Sequence, residues 1–178
     1  MKSIRLEMIA GLVGVSTAML IAALPAWAAG PEGFVVVPEK APRFAGPAGM
    51  ESFMTEVLAT AEQTRGAFGI WRYEIPPGGG PGSHIHRGED EFFLVLSGTF
   101  DFQLGDGVER APAGSFVFIP RLAVHTFKNV GLEPEVLVGG VTPAGFEGYF
   151  MRWKDADENT LRALETENNM EIVGPPLQ

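Results

Sequence analysis

The sequence predicts an all-β fold, a sandwich or barrel of short strands. Short apolar or alternating runs follow one another along the middle of the chain. Turn signals built from Pro, Gly and Asp-Gly separate these runs at intervals of about 8–12 residues, which is typical of sandwiches and barrels. The 178 residues, 46% of them hydrophobic and 20% charged, are enough for one globular domain with a substantial core.

The first 28 residues have the features of a secretory signal peptide. Lys2 and Arg5 form a short basic segment, Ile9 to Leu24 is apolar, and Ala28 ends an Ala-Trp-Ala cleavage pattern. We therefore expect cleavage after Ala28 and a periplasmic or secreted protein. The alternative is an uncleaved anchor, because the 24 uncharged residues from Met8 to Pro31 could cross a bilayer core of about 30 Å. A membrane is an expected partner only in that case.

The amino-acid composition argues against a nucleic-acid partner and against stabilisation by disulfides. The formal net charge is −9 and no basic stripe is visible, which argues against nucleic acid, whose phosphates attract clustered Lys and Arg. The chain has no cysteine, so its stability has to come from packing and not from disulfides. Thirteen Phe residues indicate an interior lined by aromatic side chains.

The segment before the predicted barrel is mostly irregular. Residues 29–50 are rich in Pro and Gly and predict an N-terminal arm that lies on the domain or on a partner subunit. Within it, only Phe34 to Val37 predicts a short strand. Met50 to Gln63 is ambiguous, because its composition favours a helix whereas its alternating Phe, Thr and Val favour a strand. Ala67 to Ile75 alternates and predicts a strand, which two prolines end.

The central part of the chain predicts five more strands. The run from Phe92 to Leu96 is continuously apolar, so we expect it to be buried on both faces. One face would line the barrel, and the other would need a second sheet or a partner subunit. Asp106 and Gly107 supply the positive φ of a hairpin turn. The five strands are Phe92 to Leu96, Thr99 to Leu104, Ser115 to Ile119, His125 to Val130 and Glu135 to Val141.

Residues 143–178 differ in character and predict a C-terminal extension that packs on the barrel. Phe146 to Trp153 is aromatic and is expected to pack across the barrel. Asp155 or Asp157 is expected to cap a short helix, and Asn168-Asn169 resembles its end. Gly174-Pro175-Pro176 predicts an extended tail.

Two segments carry all three histidines and suggest a metal site. His84 and His86 are spaced i,i+2, so in a strand they share one face about 6.6 Å apart. Glu91 follows after a turn and is expected on the neighbouring strand, about 4.8 Å away. His125 joins them only if the barrel folds back. Three neutral imidazoles and one carboxylate suit a divalent transition ion and leave one or two positions open.

A plainer interpretation competes with the metal site at each of these positions. A lone histidine is more often a surface or hydrogen-bonded residue, and an acidic run is more often a solvated turn. We assign Glu89 and Asp90 to such a turn, because the site needs only one of the three acidic residues.

The spacing of these residues resembles the two sequence motifs of the cupin superfamily. The first motif, G-x5-H-x-H-x3,4-E-x6-G, is matched by Gly78, His84, His86, Glu91 and Gly98. The second motif, G-x5-P-x-G-x2-H-x3-N, is matched by Gly114, Pro120, His125 and Asn129. Leu122 stands where the second motif has Gly, which affects a turn and not a ligand. The flanking segments more loosely resemble single-domain, type 2 bacterial cupins of the quercetin 2,3-dioxygenase-like group.

This resemblance implies a fold and a ligand set. The fold is a double-stranded β-helix, or jelly-roll barrel, over residues 51–142, with Met50 to Thr60 mostly strand and a short C-terminal helix. The implied cofactor is one divalent transition metal ion, either Fe, Mn, Ni, Cu, Co or Zn. Its implied ligands are His84, His86, Glu91 and His125. The resemblance also implies a homodimer.

The complete ligand set favours a dioxygenase that acts on an enolic or phenolic, flavonol-like small molecule. Glu91 is the expected catalytic base on a substrate hydroxyl. Phe93 shares the face of Glu91, and Phe127 shares that of His125. These two residues and Tyr149 are the predicted substrate-binding residues.

Two alternatives stay open at this stage. The first is a metal-dependent isomerase or lyase on small acids or sugars, whose pocket would need cations. Those nearest in the sequence are Arg72, Arg87, Arg121 and Lys128. The second is a cupin that binds a ligand without turnover.

Overall fold

The computed structural model describes residues 33–47, 49–153 and 156–178. The predicted signal peptide lies outside the described residues, as do residues 29–32 of the predicted arm. Among the described residues, no helix has the length and apolarity needed to cross a membrane. The chain divides into two units, residues 1–35 and 36–178. Of the first, only residues 33–35 are described, and they form no helix or strand.

The second unit is built mainly of strands, which confirms the all-β prediction. Its first strands are β1 (Arg43–Ala45), β2 (Met54–Ala59), β3 (Gly69–Ile75), β4 (Gly82–His86), β5 (Asp90–Val95) and β6 (Thr99–Leu104). The later strands are β7 (Gly107–Pro112), β8 (Phe116–Ile119), β9 (His125–Asn129), β10 (Glu135–Thr142) and β11 (Met170–Pro176). The helices are α1 (Ala61–Thr64), α2 (Glu147–Arg152) and α3 (Glu158–Glu167), with a 3-10 turn at Pro38–Lys40.

The strands form two antiparallel sheets. One has the order β1-β2-β3-β10-β5-β8 and the other the order β11-β4-β9-β6-β7. From β3 to β6 the chain alternates between the sheets at every connection, so each sheet receives strands that are distant in sequence. The inner faces meet through aromatic contacts, and the Phe93 ring lies 5.5 Å from Phe102 and 5.4 Å from Phe127. This winding is the double-stranded β-helix that the motifs imply.

Two apolar clusters fill the interior. The first joins the sheets around Phe93, Phe102 and Phe127. The second lies between the barrel and the C-terminal helices, where the Trp71 ring is 4.9 Å from that of Phe150. At Gly139, opposite Trp71 on β10, an added Cβ would lie 2.7 Å from the indole nitrogen. Glycine is therefore required there for the large ring to fit against the sheet.

The ambiguous segment contains both a strand and a helix, in sequence. β2 pairs with β3, and α1 follows it directly. The side chain of Thr60 accepts a hydrogen bond from the backbone N–H of Gln63, and the side-chain oxygen of Gln63 accepts one from the backbone N–H of Thr60, which is a capping box. The prediction of mostly strand over Met50 to Thr60 is thus correct for the six residues of β2. The helix predicted from composition forms only over the four residues of α1.

Two predictions about the flanking segments are wrong. Phe34 to Val37 forms no strand, and the strand forms instead at β1, where β2 supplies hydrogen-bond partners. β-propensity is realised only when a strand can pair. Gly174-Pro175-Pro176 is part of β11, which pairs with β4, and is not a tail. The aromatic segment from Phe146 to Trp153 packs against the barrel as predicted, and it contains a helix, α2, that the sequence analysis did not predict.

The predicted C-terminal helix corresponds to α3. The side chain of Asp157, one of the two predicted caps, accepts a hydrogen bond of 2.8 Å from the backbone of Thr160. Asn168 is the C-cap of α3, and Asn169 has a positive φ of 53°, as expected where a helix ends. Asp155, the other predicted cap, lies outside the described residues.

Candidate metal centre

The four predicted ligands come from three strands in two sheets. His84 and His86 lie on β4, and His125 lies on β9, where it is directly opposite His84 in the ladder. Glu91 lies on β5, in the facing sheet. The expectation that Glu91 would be on the strand next to the histidine pair is therefore wrong. The neighbouring strand carries His125, and Glu91 closes the cluster from across the barrel.

The four side chains meet in the buried interior. One ligand atom from each lies within 4.8 Å of the others. His125 Nε2 is 2.7 Å from Glu91 Oε2, and His86 Nε2 is 3.6 Å from the same oxygen. All four residues are buried, with at most 6% of any one exposed. The structure thus brings together every residue that the motifs implied as a ligand.

Hydrogen bonds at Nδ1 fix the orientation of each histidine ring. The Nδ1 atoms of His84 and His125 donate to backbone carbonyls two residues earlier, at 2.8 Å and 3.0 Å. His86 Nδ1 donates to Glu89 Oε1 at 3.1 Å. With each Nδ1 donating away from the cluster, each Nε2 is turned to its centre. There the His125 Nε2–H donates to Glu91 Oε2, and an Nε2 that carries no proton can bind a metal ion.

The assignment of Glu89 and Asp90 to a solvated turn is wrong for Glu89. Glu89 is buried, with 7% exposed, and holds His86. Asp90 is at the surface, where its two oxygens each lie 3.0 Å from the guanidinium of Arg121. The Arg121 hydrogen bonds lower the pKa of Asp90 to about 2. This pair joins the start of β5 to the loop before β9, and so connects two ligand-bearing strands.

The turn that departs from the second motif adopts the backbone conformation expected of glycine. Leu122 has a φ of +69°, a region that L-residues other than glycine seldom adopt. Its backbone nitrogen donates a 2.7 Å hydrogen bond to the carbonyl of His86. The loop therefore keeps its contact with the ligand strand, at the cost of local backbone strain.

The electrostatics of the cluster favour an anionic carboxylate among imidazoles. Burial raises the pKa of Glu91, but His86 and the His125 hydrogen bond lower it by more, so the pKa lies below its ordinary value. Burial lowers the pKa of His84 to about 3, with His125 and His86 adding to the effect and Glu91 opposing it. Burial alone would lower the pKa of His125, but its hydrogen bond to Glu91 raises it. Glu91 is thus ionised and His84 neutral near pH 7.

The residues fit a transition metal ion. Within the described part of the chain, His86 Nε2 is buried without a hydrogen-bond partner, which is costly for a polar atom unless something binds there. Three imidazole nitrogens and one carboxylate oxygen are a donor set for Mn, Fe, Co, Ni, Cu or Zn, and not for the hard ions that prefer oxygen alone. His84, His86, Glu91 and His125 would hold the ion, and Glu89 would position His86.

A cavity of about 170 Å³ adjoins the cluster. All three predicted substrate-binding residues line it: Phe93 and Phe127 from the barrel, and Tyr149 from α2. Sequence reasoning missed Tyr73, although its place in an alternating strand was visible, and Glu165, for which the sequence holds no signal. The other aromatic lining residues are Phe146, Phe150 and Trp153.

Comparison with known sequences identifies the central region. Residues 71–138 match the sequence model of the cupin domain. Over 64 residues the chain is 33% identical to mannose-1-phosphate guanylyltransferase 2 of Escherichia coli O157:H7. That match covers 36% of this chain and spans only 13% of the enzyme, so it concerns a small part of the larger protein.

Known structures share the fold. KdgF from Halomonas sp. superposes with a TM-score of 0.56 at 16% identity, covering 66% of this chain and 99% of KdgF. An RmlC-like cupin from Shewanella frigidimarina superposes with a TM-score of 0.54 at 16% identity, covering 64% of this chain and 93% of that protein. The matched sequence region, the two-sheet barrel and both motifs agree, so residues 71–138 of this chain form a cupin domain.

Proposed function

We propose that this protein is an exported, metal-dependent dioxygenase that acts on an enolic or phenolic small molecule. The observation that carries the proposal is the cavity beside the four-residue cluster. Its wall is mainly aromatic, and among its described lining residues there is no Lys or Arg. Such a wall suits a flat, uncharged ring that presents oxygen atoms to the cluster.

When bound, a divalent transition ion supplies a Lewis-acid centre that holds and polarises the substrate's oxygen atoms. Glu91 lines the cavity and is ionised, so it can accept the proton of a substrate hydroxyl. That proton transfer gives the enolate or phenolate, the electron-rich form of the substrate.

Tyr73 is placed to stabilise the charge that this proton transfer creates. Its side chain lines the cavity. Burial, with smaller contributions from Glu91 and Tyr149, raises the pKa of Tyr73 well above its usual value. The phenol therefore stays protonated and can donate a hydrogen bond to a substrate oxygen. The surrounding rings exclude water from the reacting atoms.

The alternative of an isomerase or lyase on small acids or sugars has less support. Such substrates need cations near the site, but three of the four expected ones point to acidic partners elsewhere. The fourth, Lys128, lies opposite Asp101 in the ladder and does not line the cavity. The pairs are Arg72 with Glu56, Arg87 with Glu171, and Arg121 with Asp90.

Oxygen consumption tests the proposed reaction. The chain starting at residue 29 is loaded separately with Mn, Fe, Co, Ni and Cu, and each form is supplied with catechols and other enolic or phenolic compounds. We expect uptake of one O₂ per substrate consumed with at least one ion. Absence of uptake with every ion would refute the oxygenase. Binding without uptake would favour the ligand-binding alternative, and anaerobic turnover of an acid or sugar would favour the lyase.

We also propose a homodimer, formed by the outer face of the six-stranded sheet. Phe116 and Phe118 on β8 are 64% and 54% exposed, and Leu94 on β5 is 40% exposed. Phe92 and Phe116 stack with their centroids 6.2 Å apart. Standard interfaces cover about 800 Å² per partner around an apolar centre, and these side chains supply such a centre.

Charged side chains border the apolar patch on the same outer face. In the row that continues across the sheet from Leu94, Glu56 lies 3.1 Å from Arg43 and 3.5 Å from Arg72. An apolar centre with a charged border is the usual anatomy of a protein–protein interface. Light scattering should show a dimer for the wild type and a monomer for Phe118→Glu. A wild-type monomer at 100 µM, roughly the concentration at which even weak dimers form, would contradict the proposal.

A further inference from the structure

The size of the cavity limits what can bind beside the cluster. Its volume is about 170 Å³, and an apolar cavity of about 150 Å³ holds one benzene molecule. A single phenolic ring therefore fits, whereas a three-ring flavonol does not fit without moving the wall. That wall consists of α2, α3 and β11, which contribute Tyr149, Leu161 and Met170 among others.

Glu165 lies where the cavity meets the surface. Together with Leu161, Met170 and Ile172, it lines both the cavity and an adjoining surface groove. A ligand that moves between the groove and the cluster has to pass these four side chains. Burial raises the pKa of Glu165 and, together with the charge of Glu165, that of Tyr149. The Glu165 carboxyl group is thus partly shielded from water and close to Tyr149 of α2.

The carboxylate of Glu165 places a negative charge where the cavity meets the groove. The neighbouring charged residues of the groove are ion-paired, Arg162 with Glu158 and Glu171 with Arg87. Within the described residues, Glu165 has no ion pair within 4 Å, and the attraction of Arg162 lowers the pKa of Glu165 by less than burial raises it. Because a charge is screened less at a partly buried position than on an open surface, an anionic ligand would be repelled here and a neutral or cationic one would not.

A second group in the cavity indicates a polar ligand atom. Trp153 lines the cavity and is 5% exposed, and within the described chain its Nε1–H is buried without an acceptor. A buried donor without a partner is costly, and an oxygen substituent on the ligand would supply the acceptor. A ring hydroxyl does so without adding a charge.

We propose that the cavity binds single-ring phenols or enols that carry no negative substituent, and that Glu165 is the residue that excludes anions. The inference rests on the proposed function for the end of the ligand that faces the cluster. It adds a limit on ring number and a limit on charge, and it assigns the second limit to one side chain.

Binding to the zinc-loaded protein tests both limits without turnover. Catechol, 3,4-dihydroxybenzoate and dopamine share the same pair of hydroxyl groups and differ in charge. By calorimetry we expect dihydroxybenzoate to bind about 10-fold more weakly than catechol, as one like-charge contact at a partly buried position predicts, and dopamine to bind at least as tightly as catechol. Quercetin, with three rings, should bind at least ~10-fold more weakly than catechol.

Two variants in α3 test whether Glu165 causes the weaker binding of the anionic ligand. Glu165→Gln should bring dihydroxybenzoate binding to within about 2-fold of catechol binding to the same variant, since the repelling charge is gone. Glu167→Gln is the matched control, because Glu167 is on the same helix but lines neither the cavity nor the groove. It should behave as the wild type.

The outcomes separate this inference from the proposed reaction. Equal binding of dihydroxybenzoate and catechol, a charge preference that survives Glu165→Gln, tight binding of quercetin, or no binding of any catechol would each overturn the inference. The expected charge order without oxygen consumption would refute the oxygenase and leave the inference standing. Rapid oxygen consumption with flavonols would do the reverse.

Discussion

The two faces of β5 have opposite surroundings although both are apolar. On the inner face, Phe93 and Val95 are each 1% exposed, and Glu91 completes the ligand cluster. On the outer face of the same strand, Leu94 is 40% exposed. The alternation of a strand assigns side chains to faces, but only the second sheet decides which face is covered. The inner face therefore carries the chemistry, and the outer face is available for another chain.

The largest expected effect is the loss of the metal from the inner face. The double change of His84 and His86 to Ala removes two of four ligands, and the remaining two cannot hold an ion against dialysis. We expect metal content to fall from about one ion per chain to a background level, measured by elemental analysis after dialysis. Leu94→Ala, on the outer face, is the control and should keep the full metal content. Metal retained by the double variant would refute the site.

The next effect contrasts the stability contributions of the two faces. Phe93→Ala should lower the free energy of unfolding by about 3–5 kcal/mol, because it leaves a cavity at the centre of the core. Phe118→Ala should change the free energy of unfolding of the monomer by less than about 1 kcal/mol, since the ring is 54% exposed. Urea unfolding of both variants at low protein concentration gives the comparison. Equal losses would show that the outer face is covered within one chain.

A smaller loss of metal affinity is expected from a change at Glu89, which accepts a hydrogen bond from His86. Glu89→Gln keeps the shape of the side chain but replaces the carboxylate that accepts the hydrogen bond of His86. Changes at such outer hydrogen bonds typically weaken metal binding by about 10–100-fold, and we expect the lower end because the ring stays packed. Competition with a chromophoric zinc chelator measures the affinity. Glu171→Gln, at the exposed partner of Arg87, should leave it unchanged, and an unaltered affinity for Glu89→Gln would contradict the assigned role.

The smallest effect concerns the turn between β8 and β9. Leu122 holds a left-handed conformation that costs an L-residue about 1 kcal/mol. Leu122→Gly should therefore raise the free energy of unfolding by up to ~1 kcal/mol, less the greater entropy that glycine has in the unfolded chain. Thermal unfolding with the metal content held constant measures this. A clear loss of stability would show that the Leu122 side chain, although 57% exposed, makes a contact that outweighs the strain.

The four clustered side chains and most of the barrel strands could be predicted from the sequence. The spacing of His84 and His86 places both on one face of β4 because side chains in a strand alternate with a period of two, and turn signals mark where each strand stops. His125 followed from the second motif and not from any local pattern. The capped helix α3 was also readable, because Asp157 acts on its own neighbours.

Features that depend on pairing between distant segments became visible only in the folded chain. It placed Glu91 in the facing sheet, made β11 from residues that predicted a tail, and buried Glu89 behind His86. The cavity could not be predicted from the sequence either, because its volume depends on how α2 and α3 pack against the barrel. Local periodicity fixes which side of a strand a residue faces. What lies on that side is set by contacts between residues far apart in sequence, and their pairing leaves no periodic signal.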